Sequence, residues 1–161
     1  MRKQIKTLVL IFGLIALVTG CTKETLNANQ INPINGNEIR VMTVTAGNSN
    51  TKEITDQALI KSIIKNLNNI KFTKLNKNDE AKVMDNGQIL ILNSTYTVEL
   101  MKEEPGKYLS NLIAISEDKL VLADSKTMQS NERTVSYLNE NDKASLNSVK
   151  EIYSLLKLAE K

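Results

Sequence analysis

The side chains that could do chemistry in this sequence are carboxylates, lysines, hydroxyls and a single thiol. The chain of 161 residues has no histidine and one cysteine, Cys21. Without histidine, neither a Ser-His-Asp triad nor a histidine metal site can form, and the commonest general base is absent. One further nucleophilic pattern is a serine three residues before a lysine. It occurs several times, for example at Ser62 and Lys65 and at Ser116 and Lys119.

A Ser-x-x-Lys pair indicates acyl-enzyme chemistry when S-D-N and K-T-G elements accompany it, and the sequence contains neither companion. At 100° per residue, Ser62 and Lys65 point away from the apolar stripe of their predicted helix, toward solvent. We therefore interpret this pair as part of a solvated helix face. A hydrolase that uses a Ser-Lys pair remains an alternative.

Adjacent carboxylates are the other candidates for catalysis. Three pairs lie in predicted turns or loops: Asp79-Glu80, Glu103-Glu104 and Glu117-Asp118. A glycosidase needs two carboxyls about 5 to 9.5 Å apart across a cleft, and solvated turns explain these pairs more simply. The oxygen-rich stretches 76–80 and 139–142 lack the glycine and the distant glutamate of a calcium loop. We expect no metal, no cofactor other than a lipid, and no enzymatic activity, with a carboxylate hydrolase as the alternative.

Cys21 closes an apolar segment near the start of the sequence. Residues 1–6 carry three basic side chains and no acid, and the uncharged run TLVLIFGLIALV follows them. This layout is typical of a secretory signal, and the run is shorter than the about 20 residues that span a bilayer. Thr19 and Gly20 are small residues directly before Cys21. We therefore predict that residues 1–20 are a signal peptide that is removed.

The stretch Leu17-Val18-Thr19-Gly20-Cys21 resembles the lipobox of bacterial lipoproteins. The resemblance implies that the Cys21 sulfur receives a diacylglyceryl group and that signal peptidase II cuts before it. Two acyl chains hold a protein stably on a membrane, whereas one binds marginally. The Lys- and Asn-rich usage is typical of AT-rich Gram-positive genomes. We expect a lipid-anchored protein on the outer face of the cytoplasmic membrane of such a cell.

Loss of the signal peptide would leave 141 residues with 18 basic and 18 acidic side chains. A neutral chain without a polybasic cluster lacks the signature of nucleic-acid binding, so we expect no nucleic-acid partner. The expected partners are the membrane, through the lipid, and an envelope protein. The sequence leaves the oligomeric state open.

The composition divides the mature chain into two parts. Residues 21–36 are Asn-rich and interrupted by proline and glycine, which predicts a lipidated cysteine followed by a flexible tether. Residues 37–161 are predicted to form one extracytoplasmic domain. Its strands are predicted at 38–46, 81–84, 88–93, 95–101, 112–116, 119–123 and 133–138, with Asn86-Gly87 as a hairpin turn. Helices are predicted from a Thr55 cap through Leu67, and after a cap at Asn141 or Asp142.

Strands joined by short turns pair antiparallel, and helices at the two ends of a domain pack together on its sheet. The order of elements therefore predicts an α+β fold with a mainly antiparallel sheet of about five to seven strands and two amphipathic helices. The stretch LVLADSKTMQSNERTVSYL (120–138), together with the preceding predicted helix and hairpin, resembles small lipoproteins of Bacillus and its relatives, including the YhfM-like group, which also have a lipobox, one mixed α and β domain and a final helix. That resemblance implies an anchored domain and assigns no site.

A partner surface is predicted at 124–132, the longest polar connection between the predicted strands, because loops carry function more often than the scaffold does. The candidate contact residues are Lys126, Met128, Gln129, Asn131 and Arg133. Met128 suits an adaptable surface, and the planar fork of Arg133 can pair bidentately. The sequence thus favours a non-catalytic binding module. For residues 124–132, a plain solvated loop stays open as the alternative. For the function of the protein, a membrane-tethered inhibitor or immunity protein stays open.

Replacement of the lipidation residue tests the predicted anchor. Cys21→Ala removes the sulfur that would carry the lipid, so processing and acylation should both stop. Palmitate labelling and the mass of the membrane-fraction protein measure this. A Cys21→Ala protein that still fractionates with membranes at the wild-type mature mass, with labelling unchanged, would show that the lipobox interpretation is wrong.

Overall fold

The computed structural model describes residues 24–102, 108–130 and 133–160, so the predicted signal peptide and Cys21 lie outside the described residues. In this part of the chain the strands are β1 (Thr25–Asn27), β2 (Val41–Ala46), β3 (Lys52–Ile54), β4 (Lys71–Lys74), β5 (Tyr96–Met101), β6 (Tyr108–Ser116), β7 (Lys119–Ala123) and β8 (Ser136–Asn139). The helices are α1 (Ala28–Ile31), α2 (Gln57–Asn68), α3 (Lys77–Val83), α4 (Ser125–Gln129) and α5 (Lys143–Glu160). A 3₁₀ segment covers Asp85–Ile91.

The strands form one sheet in the order β1-β4-β8-β7-β6-β5-β2-β3, and every neighbouring pair is antiparallel. The predicted α+β class is confirmed. The described residues contain eight strands where about five to seven were predicted from the alternation of apolar residues. The unpredicted strands β1, β3 and β4 have only three or four residues each, too few for a clear alternating pattern.

One face of the sheet carries the core. Paired residues lie on the same face, and neighbours along a strand alternate between faces. Val44 pairs with Val98, which pairs with Leu112, and all three side chains are buried. Helices α2 and α5 contact each other, and α5 also contacts β2, β6, β7 and β8. The apolar stripes of both helices therefore join the core on this face.

Aspartates cap both long helices. Asp56, rather than the predicted Thr55, accepts two backbone amides of α2 at 2.8 and 3.2 Å. At α5 the cap is Asp142, one of the two predicted residues, and it accepts two amides at 3.1 Å each. Hydrogen bonds from Ser145, first from its hydroxyl, lower the pKa of Asp142. The carboxylate is thus held ionised at a helix N-terminus, where negative charge is favourable.

Residues 75–95 cross from β4, the second strand of the sheet, to β5, the sixth. Tyr137 shares the core face with its partner Leu122, so its neighbour Ser136 lies on the opposite face. The Ser136 hydroxyl donates to Glu80 of α3 at 2.5 Å. At Glu80 the crossover therefore lies on the side of the sheet opposite α2 and α5.

The hairpin predicted over residues 81–93 is wrong. Its first strand is the end of α3, and most of its second strand belongs to the 3₁₀ segment. Asn86 and Gly87 do adopt positive φ angles, 49° and 91°, as an Asn-Gly signal requires. Here they turn the chain between two helical pieces. The dipeptide determines the backbone at the turn, and tertiary packing decides what flanks it.

The prediction of a flexible tether is contradicted for its described part, residues 24–36. Strand β1 pairs with β4, with Leu26 opposite Phe72 in the core. The segment also buries the side chains of Ala28, Ile31 and Ile34. The folded unit therefore includes Glu24 and does not begin at residue 37.

The asparagines that suggested a tether have structural roles. Asn27 accepts the amide of Gln30 at 3.1 Å, and the Gln30 side chain accepts the amide of Asn27 at 2.9 Å. This is a reciprocal capping box. A strand of three residues followed by a helix of four gives no sustained period, so composition alone pointed to disorder.

Asn32 joins this N-terminal segment to the rest of the sheet. Its side chain is 1% exposed, and its amide nitrogen donates to the Ser110 hydroxyl at 3.0 Å and to the Ala123 carbonyl at 2.7 Å. Its side-chain oxygen accepts the backbone amide of Ser125 at 2.8 Å. One buried amide thus satisfies polar groups from β6, from the end of β7 and from the start of α4.

Asn32→Ala should destabilise the protein, because the Ser125 amide and the Ala123 carbonyl lose their buried partner. We expect a loss of about 3 kcal/mol in the free energy of unfolding, which corresponds to a Tm roughly 6 to 12 °C lower for a domain of this size. Thermal unfolding of the mature chain, followed by circular dichroism, measures it. Asn37→Ala changes an exposed asparagine nearby and should leave Tm unchanged; equal effects of both substitutions would show that the Asn32 bonds are not stabilising.

Candidate functional site

Three consecutive large apolar side chains are exposed near the end of the crossover. Leu90, Ile91 and Leu92 are 36%, 49% and 49% exposed, and we call them the apolar segment. Within the described ranges, Leu158 on α5 is the other large apolar residue that is exposed. Single exposed leucines are common on protein surfaces, whereas a local concentration of exposed apolar side chains is typical of an interaction surface. The apolar segment is therefore the leading candidate site.

The turn after β2 supports the backbone of the apolar segment. The amide of Gly47 donates to the Thr95 carbonyl at 3.0 Å. Gly47 has a φ of +51°, and a Cβ atom there would lie 2.8 Å from both the Ile91 oxygen and the Leu92 carbonyl carbon. Only glycine allows this approach, because a Cβ would both clash and disfavour the left-handed backbone. The turn and the segment are thus in direct backbone contact.

Helix α5 holds the chain directly after the apolar segment. The Tyr153 hydroxyl donates to the Ser94 carbonyl at 2.7 Å. The Tyr153 ring meets Tyr96 edge to face, with centroids 5.3 Å apart, and the Tyr96 hydroxyl donates to Glu160 at 3.0 Å. Burial, and then the neighbouring Glu160 carboxylate, raise the pKa of Tyr96 to about 12. The tyrosine therefore stays a neutral donor, and this bond persists across the physiological pH range.

The predicted contact residues of 124–132 are partly brought together by α4. Lys126 and Gln129 are exposed on this helix, whereas Met128 is half-buried. Met128 and Gln129 line a cavity of about 50 Å³ together with Ser110 and Ser125. Asn131 lies outside the described residues. The connection is thus a short helix closed onto the sheet, where the sequence suggested an open loop.

Arg133, the predicted anchor for a partner, is engaged within the chain. Its guanidinium pairs with the carboxylate of Glu80 on α3, and Glu80 also accepts the Ser136 hydroxyl. The Arg133 side chain is 53% exposed and makes this ion pair through one guanidinium nitrogen. The residue that was chosen for its bidentate capacity thus has a single-point contact within the chain.

The described acidic pairs interact with nearby residues. Asp79 accepts the side-chain amide of Asn76 at 2.6 Å, and Asn76 caps α3. Asp118 accepts the Ser116 hydroxyl at 2.5 Å in the β6–β7 turn. The pair Glu103-Glu104 lies outside the described residues. Asp79 and Asp118 thus take part in capping and turn contacts.

The remaining sequence candidates are also engaged in local structure. Ser62 is half-buried and Lys65 exposed on α2. The Asn139 side chain accepts the Leu120 amide at 2.7 Å and donates to the Asp118 carbonyl at 3.0 Å. Among the described residues, no three His, Cys, Asp or Glu side chains are grouped so that they could hold a metal ion.

Sequence reasoning missed the apolar segment because it assigned residues 88–93 to a strand. A strand with one buried face alternates polar and apolar residues, whereas residues 89–92 are Ile, Leu, Ile and Leu in succession. That absence of alternation was the available signal. It excludes a half-buried strand, but it cannot separate a buried run from an exposed one.

Gly47→Ala should disturb the support of the apolar segment. The left-handed backbone costs an alanine about 1 to 2 kcal/mol, and the contact with Ile91 adds to this, so Tm should fall by several degrees and amide exchange at Leu92 and Thr95 should accelerate. Thermal unfolding and hydrogen exchange measure the two effects. The control is Gly36→Ala, whose Cβ would meet Ile64 at an ordinary 3.6 Å. If both variants behaved alike, the backbone contact at Gly47 would not be important.

Comparison with known proteins does not indicate a function. No protein family, curated protein or solved structure matches the chain. In residues 24–160, as far as they are described, no helix has both the length and the apolar character needed to cross a membrane.

Proposed function

We propose that this protein is a lipid-anchored, extracytoplasmic binding module without catalytic activity, and that the apolar segment is its contact surface for a partner protein. The lipobox resemblance at Cys21 supports the anchor. The exposure of Leu90, Ile91 and Leu92 is the observation that carries the binding function.

The energy available from the apolar segment suits specific binding. Full burial of a leucine or isoleucine side chain is worth about 1.5 to 3 kcal/mol. Side chains that are already about half buried therefore offer roughly 1 kcal/mol each, or about 3 kcal/mol for all three. That is more than a hundredfold in Kd. A chain that leaves such a patch in water gains this free energy when a partner covers it.

The apolar segment is held in place before any partner arrives. Its backbone rests on Gly47, and the chain beyond it is fixed by the Tyr153 bond to Ser94. Asp85 and Asn86 hold positive φ angles of 44° and 49° at the start of the 3₁₀ segment. Non-glycine residues adopt this backbone rarely, and such conformations cluster at functional sites. Preorganisation of this kind lowers the entropic cost of association.

The position of the apolar segment favours a protein over the membrane as its partner. The segment contacts the turn after β2, the seventh strand of the sheet, whereas the chain enters the fold at β1, the first strand. Six strand spacings, about 29 Å along the sheet, separate the two. A lipid at Cys21 thus attaches next to one edge, and the apolar segment lies near the other.

Photo-crosslinking tests the proposed surface. Ile91 and, as the matched control, Leu158 are each replaced by p-benzoylphenylalanine in the full-length protein, and crosslinked species are identified by mass spectrometry of membranes from the producing cells. We expect a specific protein adduct at Ile91 that Leu158 does not give. An identical set of adducts at both positions, or none at Ile91, contradicts the proposal.

Polar substitution then tests the energetics with the captured partner. The double variant Ile91→Asn and Leu92→Asn removes about 2 kcal/mol of apolar contact, so Kd should rise roughly 30-fold. Leu158→Asn serves as the control and should leave Kd unchanged. Because both target side chains are half exposed, Tm should change little. Unchanged binding by the double variant would remove the apolar segment from consideration.

A further inference from the structure

The two edges of the sheet carry clefts of similar size. At the β1 edge a cleft of about 360 Å³ is lined by Glu24, Leu26, Thr73, Lys74 and Tyr137. At the β3 edge a cleft of about 380 Å³ is lined by residues of β2 and β3, by the turn between them and by Glu160. Each cleft contains one lysine and at least one glutamate, so composition alone does not distinguish them. The two clefts differ in their distance from Cys21, the proposed lipidation residue.

The link between the anchor and the folded unit is very short. Only Thr22 and Lys23 separate Cys21 from Glu24, the first described residue. Three Cα–Cα steps of 3.8 Å span at most about 11 Å. The headgroup region on each side of a bilayer is roughly 5 to 8 Å thick. If the acyl chains of Cys21 enter the bilayer, Glu24 therefore lies within or directly above the headgroups.

The N-terminal segment cannot lengthen this link without unfolding. Leu26 pairs within the sheet opposite Phe72, and Asn32 is fixed by three buried hydrogen bonds. Release of β1 would break the sheet pairing, and release of α1 as well would expose Ala28 and Ile31, which are buried. The fold thus transmits the position of Cys21 to the whole sheet.

We propose that the β1 edge of the sheet is seated on the phospholipid headgroup layer, with the cleft of Leu26, Lys74 and Tyr137 facing the bilayer. This inference rests on the proposed lipidation of Cys21. It goes beyond anchoring because it assigns one surface of the fold to the membrane and leaves the opposite edge available for a partner.

The chemistry of the β1 edge suits headgroups. Lys74 is exposed, so its ammonium can reach lipid phosphates while its aliphatic stem lies along apolar surface. Tyr137 is only 8% exposed and lines the inner part of the cleft, where it combines an apolar ring with a polar hydroxyl. Burial, and then the carboxylates of Asp124 and Glu24, raise the pKa of Tyr137, so its hydroxyl remains a donor. Glu24 also lines the cleft and offers a carboxylate to headgroup amines.

Tryptophan fluorescence gives a direct test, because the chain contains no tryptophan. The mature chain is coupled through Cys21 to a maleimide lipid in vesicles of phosphatidylglycerol and phosphatidylethanolamine, with or without brominated acyl chains. Lys74→Trp places a probe in the β1-edge cleft, and Lys52→Trp places a matched probe on β3. Lys74→Trp should lose about half of its emission in brominated vesicles, since its side chain would lie near the headgroup layer. Lys52→Trp should keep its emission.

Equal quenching at both positions, or none at Lys74→Trp, would overturn the inference. Insertion of a long Gly-Ser linker between Lys23 and Glu24 should abolish quenching at Lys74→Trp while the protein stays attached, and unaltered quenching would contradict the role of the short link. Glu24→Trp is the second probe if Lys74→Trp does not fold. Because the anchor is attached chemically, this result is separate from Cys21→Ala processing, which tests the natural lipidation.

Discussion

The buried side-chain amide of Asn32 is the contact on which the arrangement of this protein depends. It joins the N-terminal segment, just after α1, to β6, to the end of β7 and to α4 through three hydrogen bonds of 2.7 to 3.0 Å. A buried amide that makes all of its hydrogen bonds favours one arrangement of the elements around it, because loss of any one bond leaves a buried polar group unsatisfied. Strand β1 has only three residues and would be marginal as a free edge. Asn32 makes it a fixed part of the sheet.

A second constraint acts where the crossover returns to the sheet. The crossover of residues 75–95 lies opposite α2 and α5 at Glu80, and α3 and the 3₁₀ segment contain no fully buried residue. Polar contacts of Glu80 hold the crossover at one end, and backbone contact with Gly47 supports it at the other. These contacts do not use the side chains of Leu90, Ile91 and Leu92. The exposure of the apolar segment is therefore compatible with the fold.

The limits of sequence reasoning follow from the length of the elements. Strands β2, β5, β6, β7 and β8 and helices α2 and α5 have enough residues, or sufficiently apolar neighbours, to display a period, and all were predicted near their observed positions. Strands β1, β3 and β4 have three or four residues each and were not predicted. The prediction at Asn86-Gly87 was correct for the positive φ angles and wrong for the flanking strands, because helical segments flank the turn. Local sequence specifies φ angles, whereas the pairing of distant segments decides whether a strand forms.

The candidate site shows the same limit more sharply. Composition identified 124–132 as a polar connection, and the structure folds part of it into α4, with Arg133 paired to Glu80. That pairing joins residues 53 positions apart in sequence, so no local pattern contains it. The exposure of Leu90–Leu92 is equally non-local, because it depends on which face of the sheet the crossover covers. Burial and exposure are properties of the assembled sheet, and side-chain type alone could not assign them.

The proposed lipid on Cys21 would limit where a partner can meet the protein. A flexible tether lets a module search a large volume at a low effective concentration, whereas a short one confines it near the surface. Only two residues separate Cys21 from Glu24, so a lipid on Cys21 would keep β1 close to the membrane. The apolar segment contacts the turn after β2, about 29 Å along the sheet from β1. In that arrangement a partner that binds the apolar segment would itself be membrane-bound or would reach the membrane surface.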